Sequence, residues 1–253
     1  MILPGHRARL PALTAASLRP AAAVWALAMA VGLFAPAAAD PGAAPSPSPA
    51  YRFADPRRWA PVFEHPARDT WQLPDRLIEA LGLRPGQVVA DIGAGTGYFT
   101  RRIARAVGPG GRVYAVDLEP GLLEYLAWRT EAEGLTNVTT LVAGEDDSRL
   151  PAGCCDLALL VNTYYLIADR PGYLRHLRSR LRPGGSVVVV DWRRHGSPGH
   201  GPRPEHKLSR ETVHREAGAA GLCVEERDFL PLQDFYRLTP CPAPRDPTTG
   251  DPS

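Results

Sequence analysis

Lysine is almost absent from this chain of 253 residues, and Lys207 is the only one among 29 basic side chains. Arginine carries the positive charge, which reads as a compositional bias, because 27 acidic residues balance it to a net +2. A chain this close to neutral lacks the field that phosphate backbones attract, which excludes a protein living on nucleic acid. Cysteine is scarce too. Cys154, Cys155, Cys223 and Cys241 show no C-x-x-C and no Cys/His metal spacing, so no metal site is read. None precedes Cys154, which excludes a lipid-modified cysteine near the start. Neighbouring Cys154 and Cys155 are poorly placed to bridge each other. Cys223 and Cys241 are a candidate disulfide if the chain is exported, and free thiols otherwise. No apolar run reaches the roughly 20 residues of a membrane span. With 44% hydrophobic and 22% charged residues, the chain is neither disordered, collagenous nor polytopic, and its length suits one domain.

The positive charge that is not balanced lies at the beginning. Residues 1–39 carry Arg7, Arg9 and Arg19 and no acid. An apolar stretch from Ala21 to Ala35 follows, then the small residues Ala37, Ala38 and Ala39. This order reads as a secretory signal with cleavage before Asp40, and hence a periplasmic or secreted protein. The alternatives are an uncleaved anchor, which would bring membrane contact, and a true start at Met29, which would leave a cytoplasmic protein. Residues 40–50, DPGAAPSPSPA, read as an extended spacer. Gly196–Pro204 reads as a mobile loop and 240–253 as a disordered tail.

Between these ends the pattern alternates. Apolar runs Val88–Ile92, Val113–Asp117, Val138–Val142, Asp156–Asn162 and Ser186–Asp191 read as buried strands. Helical spacing separates them: Leu77, Ile78, Leu81 and Leu83; then Phe99, Ile103 and Val107; then Pro120–Glu133 and Pro171–Leu181. Ser209 caps a helix running to about Ala220. Cys223–Phe229 and Phe235–Leu238 read as two strands without a helix between them. Alternation demands crossover connections, so the expected fold is α/β. It is a Rossmann-like, doubly wound, seven-stranded sheet, mostly parallel, with an antiparallel edge hairpin.

The chemistry concentrates in Ala90-Asp-Ile-Gly-Ala-Gly-Thr-Gly-Tyr-Phe-Thr100, where a strand enters a glycine turn and then a helix. Gly93, Gly95 and Gly97 allow backbone close to a ligand, and the helix start offers unpaired N–H groups. A dinucleotide turn needs G-x-G-x-x-G, and here Tyr98 stands where its third glycine belongs. Asp91 just before the turn would repel a pyrophosphate but suits a cationic amino group.

With these residues the segment resembles motif I of the class I S-adenosylmethionine-dependent methyltransferases. The similarity covers Leu73 to Leu238 and is greatest to small-molecule methyltransferases of the quinone-biosynthesis type. The resemblance implies S-adenosylmethionine as cofactor, its methionyl end held by Asp91 and the backbone of Gly93, Gly95 and Gly97. It implies that Asp117 binds both ribose hydroxyls, since a carboxylate accepts from two neighbouring O–H groups. Leu118 would pack on the adenine face. An acid of Gly144-Glu-Asp-Asp147 would accept from the adenine amino group; Asp146 is favoured, then Glu145. Arg182-Pro-Gly-Gly185 before the fifth strand is typical of the family.

The implied reaction is in-line methyl transfer to a small-molecule or lipid-like acceptor. Strand-end placement nominates Asn162, Tyr164 and Tyr165, with Asp191, Trp192 and His195; Asn162, Tyr165 and Asp191 are the catalytic candidates. Residues 51–71 hold Trp59, Phe63 and Trp71 and are expected to form an apolar lid over the cofactor, leaving 72–239 as the methyltransferase domain. The competing reading is a helix packed on the sheet edge. The rival functions are a non-catalytic relative serving as a partner module and a nicotinamide-dependent oxidoreductase, the latter disfavoured by Tyr98 and Asp91.

Overall fold

The computed structural model describes residues 53–195 and 199–242. Their strands form one seven-stranded sheet of order β3-β2-β1-β4-β5-β7-β6. The strands are β1 Val88–Ile92, β2 Arg112–Asp117, β3 Val138–Val142, β4 Cys155–Val161, β5 Leu181–Trp192, β6 Leu222–Arg227 and β7 Gln233–Pro240. Neighbours from β3 to β5 run parallel, whereas β7 is antiparallel to both β5 and β6. The expected doubly wound sheet with an antiparallel edge hairpin is present.

The chain reverses between β1 and β4, with β2 and β3 laid to one side and the later strands to the other. A crevice opens at the carboxyl ends of the strands at such a switch point. Helix α1 (Pro56–Phe63), α2 (Asp69–Gln72) and α3 (Pro74–Leu81) precede β1; α4 (Thr100–Val107), α5 (Pro120–Ala132), α6 (Arg170–Arg180) and α7 (Arg210–Ala219) are the crossovers. Their ends follow local chemistry. Asp55 accepts from the Arg57 N–H at 2.9 Å, Asp169 from Gly172 at 2.9 Å and Ser209 from Thr212 at 3.2 Å.

Strand β5 explains why both faces need cover. Val187 and Val189 point into a core shared with Leu174 and Leu177 of α6 and Val213 of α7. Val188 and Val190 point the other way, among Leu77 of α3 and Ile103 of α4. All four valines are fully buried, which is what an unbroken apolar run in a central strand requires.

Several boundaries differ from the sequence reading. Strand β5 starts at Leu181, five residues early: Leu181 pairs with Cys155, the chain bulges, and pairing resumes at Ser186 with Leu157. Strand β7 reaches from Gln233 to Pro240 because it has two partners: β5 from Trp192 opposite Gln233 to Val187 opposite Leu238, and β6 as far as Leu222 opposite Pro240. Pro240 therefore belongs to the sheet rather than to a tail. Cys241 just beyond it is disulfide-bonded to Cys223, with Cα atoms 5.0 Å apart. Of the Gly196–Pro204 stretch, Gly201 lies against the Trp192 ring and Pro204 opens a short 3-10 turn. The expected signal, spacer, most of the tail and residues 196–198 lie outside the described residues. Among the described residues no helix is long and apolar enough to cross a membrane.

Candidate functional site

The glycine turn follows β1 directly. Gly93, Gly95 and Gly97 have φ of +73°, +55° and +87°. At Gly93 even space is missing, since a Cβ there would lie 2.3 Å from Thr163 Oγ1. The turn is therefore closed to side chains on the β4 side. The N–H groups of Gly93 and Ala94 donate to the Val116 carbonyl at 2.8 and 3.0 Å, tying it to β2.

Two carboxylates flank the turn. Asp91 is buried at the end of β1 and accepts from Thr100 Oγ1 at 2.6 Å. Burial raises its pKa to about 6, against the Thr100 bond. Asp117 ends β2 and points at the turn. Its Oδ2 accepts from the Gly95 N–H at 2.8 Å and its Oδ1 from the Glu119 N–H at 3.0 Å. Each oxygen keeps lone pairs for another donor. Burial raises the Asp117 pKa as well, opposed by those backbone bonds. Leu118 beside it is 49% exposed, an apolar face uncovered at the crevice. Glu145 and Asp146 are exposed in the loop after β3, and the Asp146 carboxylate turns back toward Gly144. Asp147 is engaged instead with the Arg149 N–H at 2.9 Å.

At the far side of the crevice, Asn162 directly follows β4 with φ +57°. Its amide joins a closed ring of carboxamides: Gln72 donates to Gln233, Gln233 donates to Asn162, and Asn162 donates to Gln72 at 3.4 Å. Gln72 and Gln233 are fully buried. Asp191 at the end of β5 is buried, with Oδ2 on the Tyr165 N–H at 3.0 Å and Oδ1 on the Trp192 N–H at 2.8 Å. Burial lifts its pKa to about 7 in spite of those donors. The carboxylate thus pins the 3-10 turn Tyr164–Leu166 to the sheet. Tyr165 stays partly exposed on that turn. Tyr164 goes into the core, donating to Glu216 at 2.9 Å. Trp192 is buried against Trp71, with ring centroids 4.7 Å apart. His195 is exposed.

Residues 53–72 cross over the turn. Phe63 comes 3.5 Å from where a Gly95 Cβ would be, Trp59 stacks on Phe63, and Ala54 O would lie 2.8 Å from a Cβ on Gly121 of α5. Glu64 fastens the segment. It accepts from Thr96 Oγ1 at 2.7 Å and pairs with Arg101 at 2.6 Å and Arg129 at 3.0 Å. Trp71 sits away from this cover, at the end of β5.

Comparison with known proteins places this geometry. Residues 89–185 match the family model described as a methyltransferase domain. The chain carries a class I S-adenosylmethionine-dependent methyltransferase domain. A protein-L-isoaspartate O-methyltransferase of Aeropyrum pernix is 36% identical over 117 residues, 45% of this chain and 42% of that protein. The ubiquinone/menaquinone biosynthesis C-methyltransferase UbiE of Ectopseudomonas mendocina is 31% identical over 122 residues, 48% of each chain. The chain thus spans less than half the length of these curated relatives. A S-adenosylmethionine-dependent methyltransferase of Aquifex aeolicus shares the fold, with TM-score 0.69 and 24% identity over 74% of this chain and 99% of that one.

For the cofactor of this methyltransferase domain, S-adenosylmethionine, the residues present fit. Glycine backbone stands where a side chain could not, Asp91 is buried at the turn, and the Asp117 carboxylate is aimed at it rather than away. Sequence reasoning missed Thr163, Gln72, Gln233 and Glu64. Each lies far along the chain from the residue it serves, and no local pattern marks any of them.

Proposed function

We propose that the protein is a methyltransferase acting on a small-molecule or lipid-like acceptor. The observation that carries this reading is the Asp117 carboxylate on the Gly95 N–H, which sets an acid and a glycine cradle in one place. The relation to a quinone-biosynthesis C-methyltransferase supports a small-molecule acceptor.

When bound, the cofactor supplies a methyl group already activated on a sulfonium, so the protein's work is alignment and exclusion of water. In this reading Gly93, Gly95 and Gly97 admit the methionyl end, Asp91 faces its cationic amino group and Asp117 takes the ribose hydroxyls. Leu118 lies under the adenine, with Asp146 or Glu145 at its edge. Phe63 and Trp59 keep water from the turn. On the acceptor side, Tyr165 projects from the turn that Asp191 pins, and Asn162 presents its amide from the end of β4. Asp191 can hold a proton at its carboxyl oxygens near neutral pH, which suits an acceptor that must lose one. Export as a periplasmic or secreted protein is part of the proposal. The Cys223–Cys241 disulfide and the signal-like residues 1–39 support it. Since S-adenosylmethionine is made in the cytoplasm, an exported enzyme requires a supply outside.

Calorimetric titration with S-adenosylmethionine, S-adenosylhomocysteine and NAD tests the assignment. Both sulfur nucleosides should bind, and Asp117→Ala should weaken them about 100-fold, roughly the loss of a charged hydrogen-bonding pair. Binding of NAD alone would overturn the reading. Binding without methyl transfer to any of a broad acceptor panel would favour a non-catalytic relative. Mass spectrometry of the mature N-terminus tests export, with Asp40 expected first.

A further inference from the structure

Arg68 is a buried cation without a carboxylate of its own. It is 9% exposed and belongs to the short turn between α1 and α2 that crosses the glycine turn. Its Nε and Nη2 donate to Gln72 Oε1 at 3.3 and 3.2 Å, and its Nη1 donates to the Phe63 carbonyl at 2.8 Å. These acceptors are neutral. The guanidinium lies 3.9 Å over the Tyr98 ring and 5.6 Å from Phe99, the two residues that follow the last turn glycine. Nearby acids are committed elsewhere. Glu64 serves Thr96, Arg101 and Arg129; Asp91 serves Thr100; Asp69 takes the Tyr98 hydroxyl and lies 3.8 Å from Arg102.

Burying a cation that no carboxylate bonds is costly, and burial pulls the Arg68 pKa down to about 10, although the charges of Glu64 and Asp91 act the other way. An anion arriving from outside would offset that cost. A guanidinium has five N–H donors. With one bond each from Nε, Nη1 and Nη2, a free N–H remains on each terminal nitrogen. Spare N–H donors of a guanidinium take a carboxylate through charge-assisted bonds.

We propose that Arg68 is the carboxylate clamp of the cofactor site, taking the α-carboxylate at the methionyl end of S-adenosylmethionine. The aromatic floor of Tyr98 and the Gln72 amide orient the guanidinium, and Phe63 O holds it to the segment that covers the turn. Tyr98 then has a reason to replace the glycine of a dinucleotide turn: its ring carries the arginine. Closure of residues 53–72 and capture of the carboxylate become one event.

Calorimetry with S-adenosylhomocysteine and its decarboxylated counterpart tests this directly, because the two ligands differ only in the group Arg68 is assigned. The wild-type protein should bind the carboxylate-bearing ligand at least 30-fold more tightly. Arg68→Met should bind the decarboxylated ligand within about threefold of wild type and lose most of that preference. Arg68→Lys, which keeps charge and stem, should retain about a tenth of it, and serves if the methionine variant does not fold. A wild-type protein without preference, or variants that keep it, would overturn the assignment while leaving the cofactor site standing. Equal weakening of both ligands would also overturn it, making Arg68 a brace of the covering segment. Failure of the wild type to bind either ligand would overturn both the clamp and the cofactor site.

Discussion

Asp191 keeps its proton to a higher pH in the folded chain than a free carboxyl would. Burial raises it from 3.8 to about 7, although two backbone N–H groups pull the other way. Between those values the native state binds the proton and the unfolded state does not, so this group costs stability as pH rises through that window, and the cost levels off above it. Asp191→Asn removes the titration. From pH 5 to pH 8 the wild type should lose about 3 kcal/mol that the variant does not, from two units of this window at 1.36 kcal/mol each. Urea unfolding of both proteins at the two pH values measures the difference. A difference independent of pH would show that Asp191 is ionised throughout. Asp91, raised to about 6, adds to the same trend in the wild type and the variant alike, and so cancels in the comparison.

At the scale of elements, helix α1 is held down by one acid. Glu64, just past its end, ties the covering segment to Thr96 of the turn, Arg101 of α4 and Arg129 of α5. Glu64→Gln weakens the two arginine pairs and leaves α1's aromatic contacts. Amide exchange of residues 53–64 should quicken about tenfold, which corresponds to about 1.4 kcal/mol, while exchange in β1 stays unchanged. Uniform quickening would mean that Glu64 supports the whole fold. The helices themselves were legible because periodicity and caps are local: Asp55, Asp169 and Ser209 sit where a capping side chain belongs. The start of β5 was not legible. Pairing of Leu181 with Cys155 precedes the bulge, and nothing in Leu181-Arg-Pro-Gly-Gly185 records that a partner waits there.

For the molecule as a whole, the exposed edge of the sheet is stapled. The Cys223–Cys241 disulfide joins β6 to the residue after β7 across 18 positions of sequence. Closing a loop of that length contributes about 3 kcal/mol in the chain-entropy view. Reduction, or Cys223→Ser with Cys241→Ser, should lower Tm by roughly 6–12 °C and leave binding of S-adenosylhomocysteine unchanged, since the staple lies at the far edge from β1 and β2. Calorimetry with and without reductant measures both. The sequence by itself determined the alternation of strands and helices, the glycine turn with Asp91 and Asp117, and so the fold and its cofactor. These signals are periodic or contiguous, and each is written within a few residues. Only the tertiary structure decided that Tyr164 is core while Tyr165 faces out, that Asn162 sits in a ring with Gln72 and Gln233, and that Arg68 stands without a carboxylate. Those facts depend on residues up to 161 positions apart meeting at the strand ends, and contact at that range leaves no pattern along the chain.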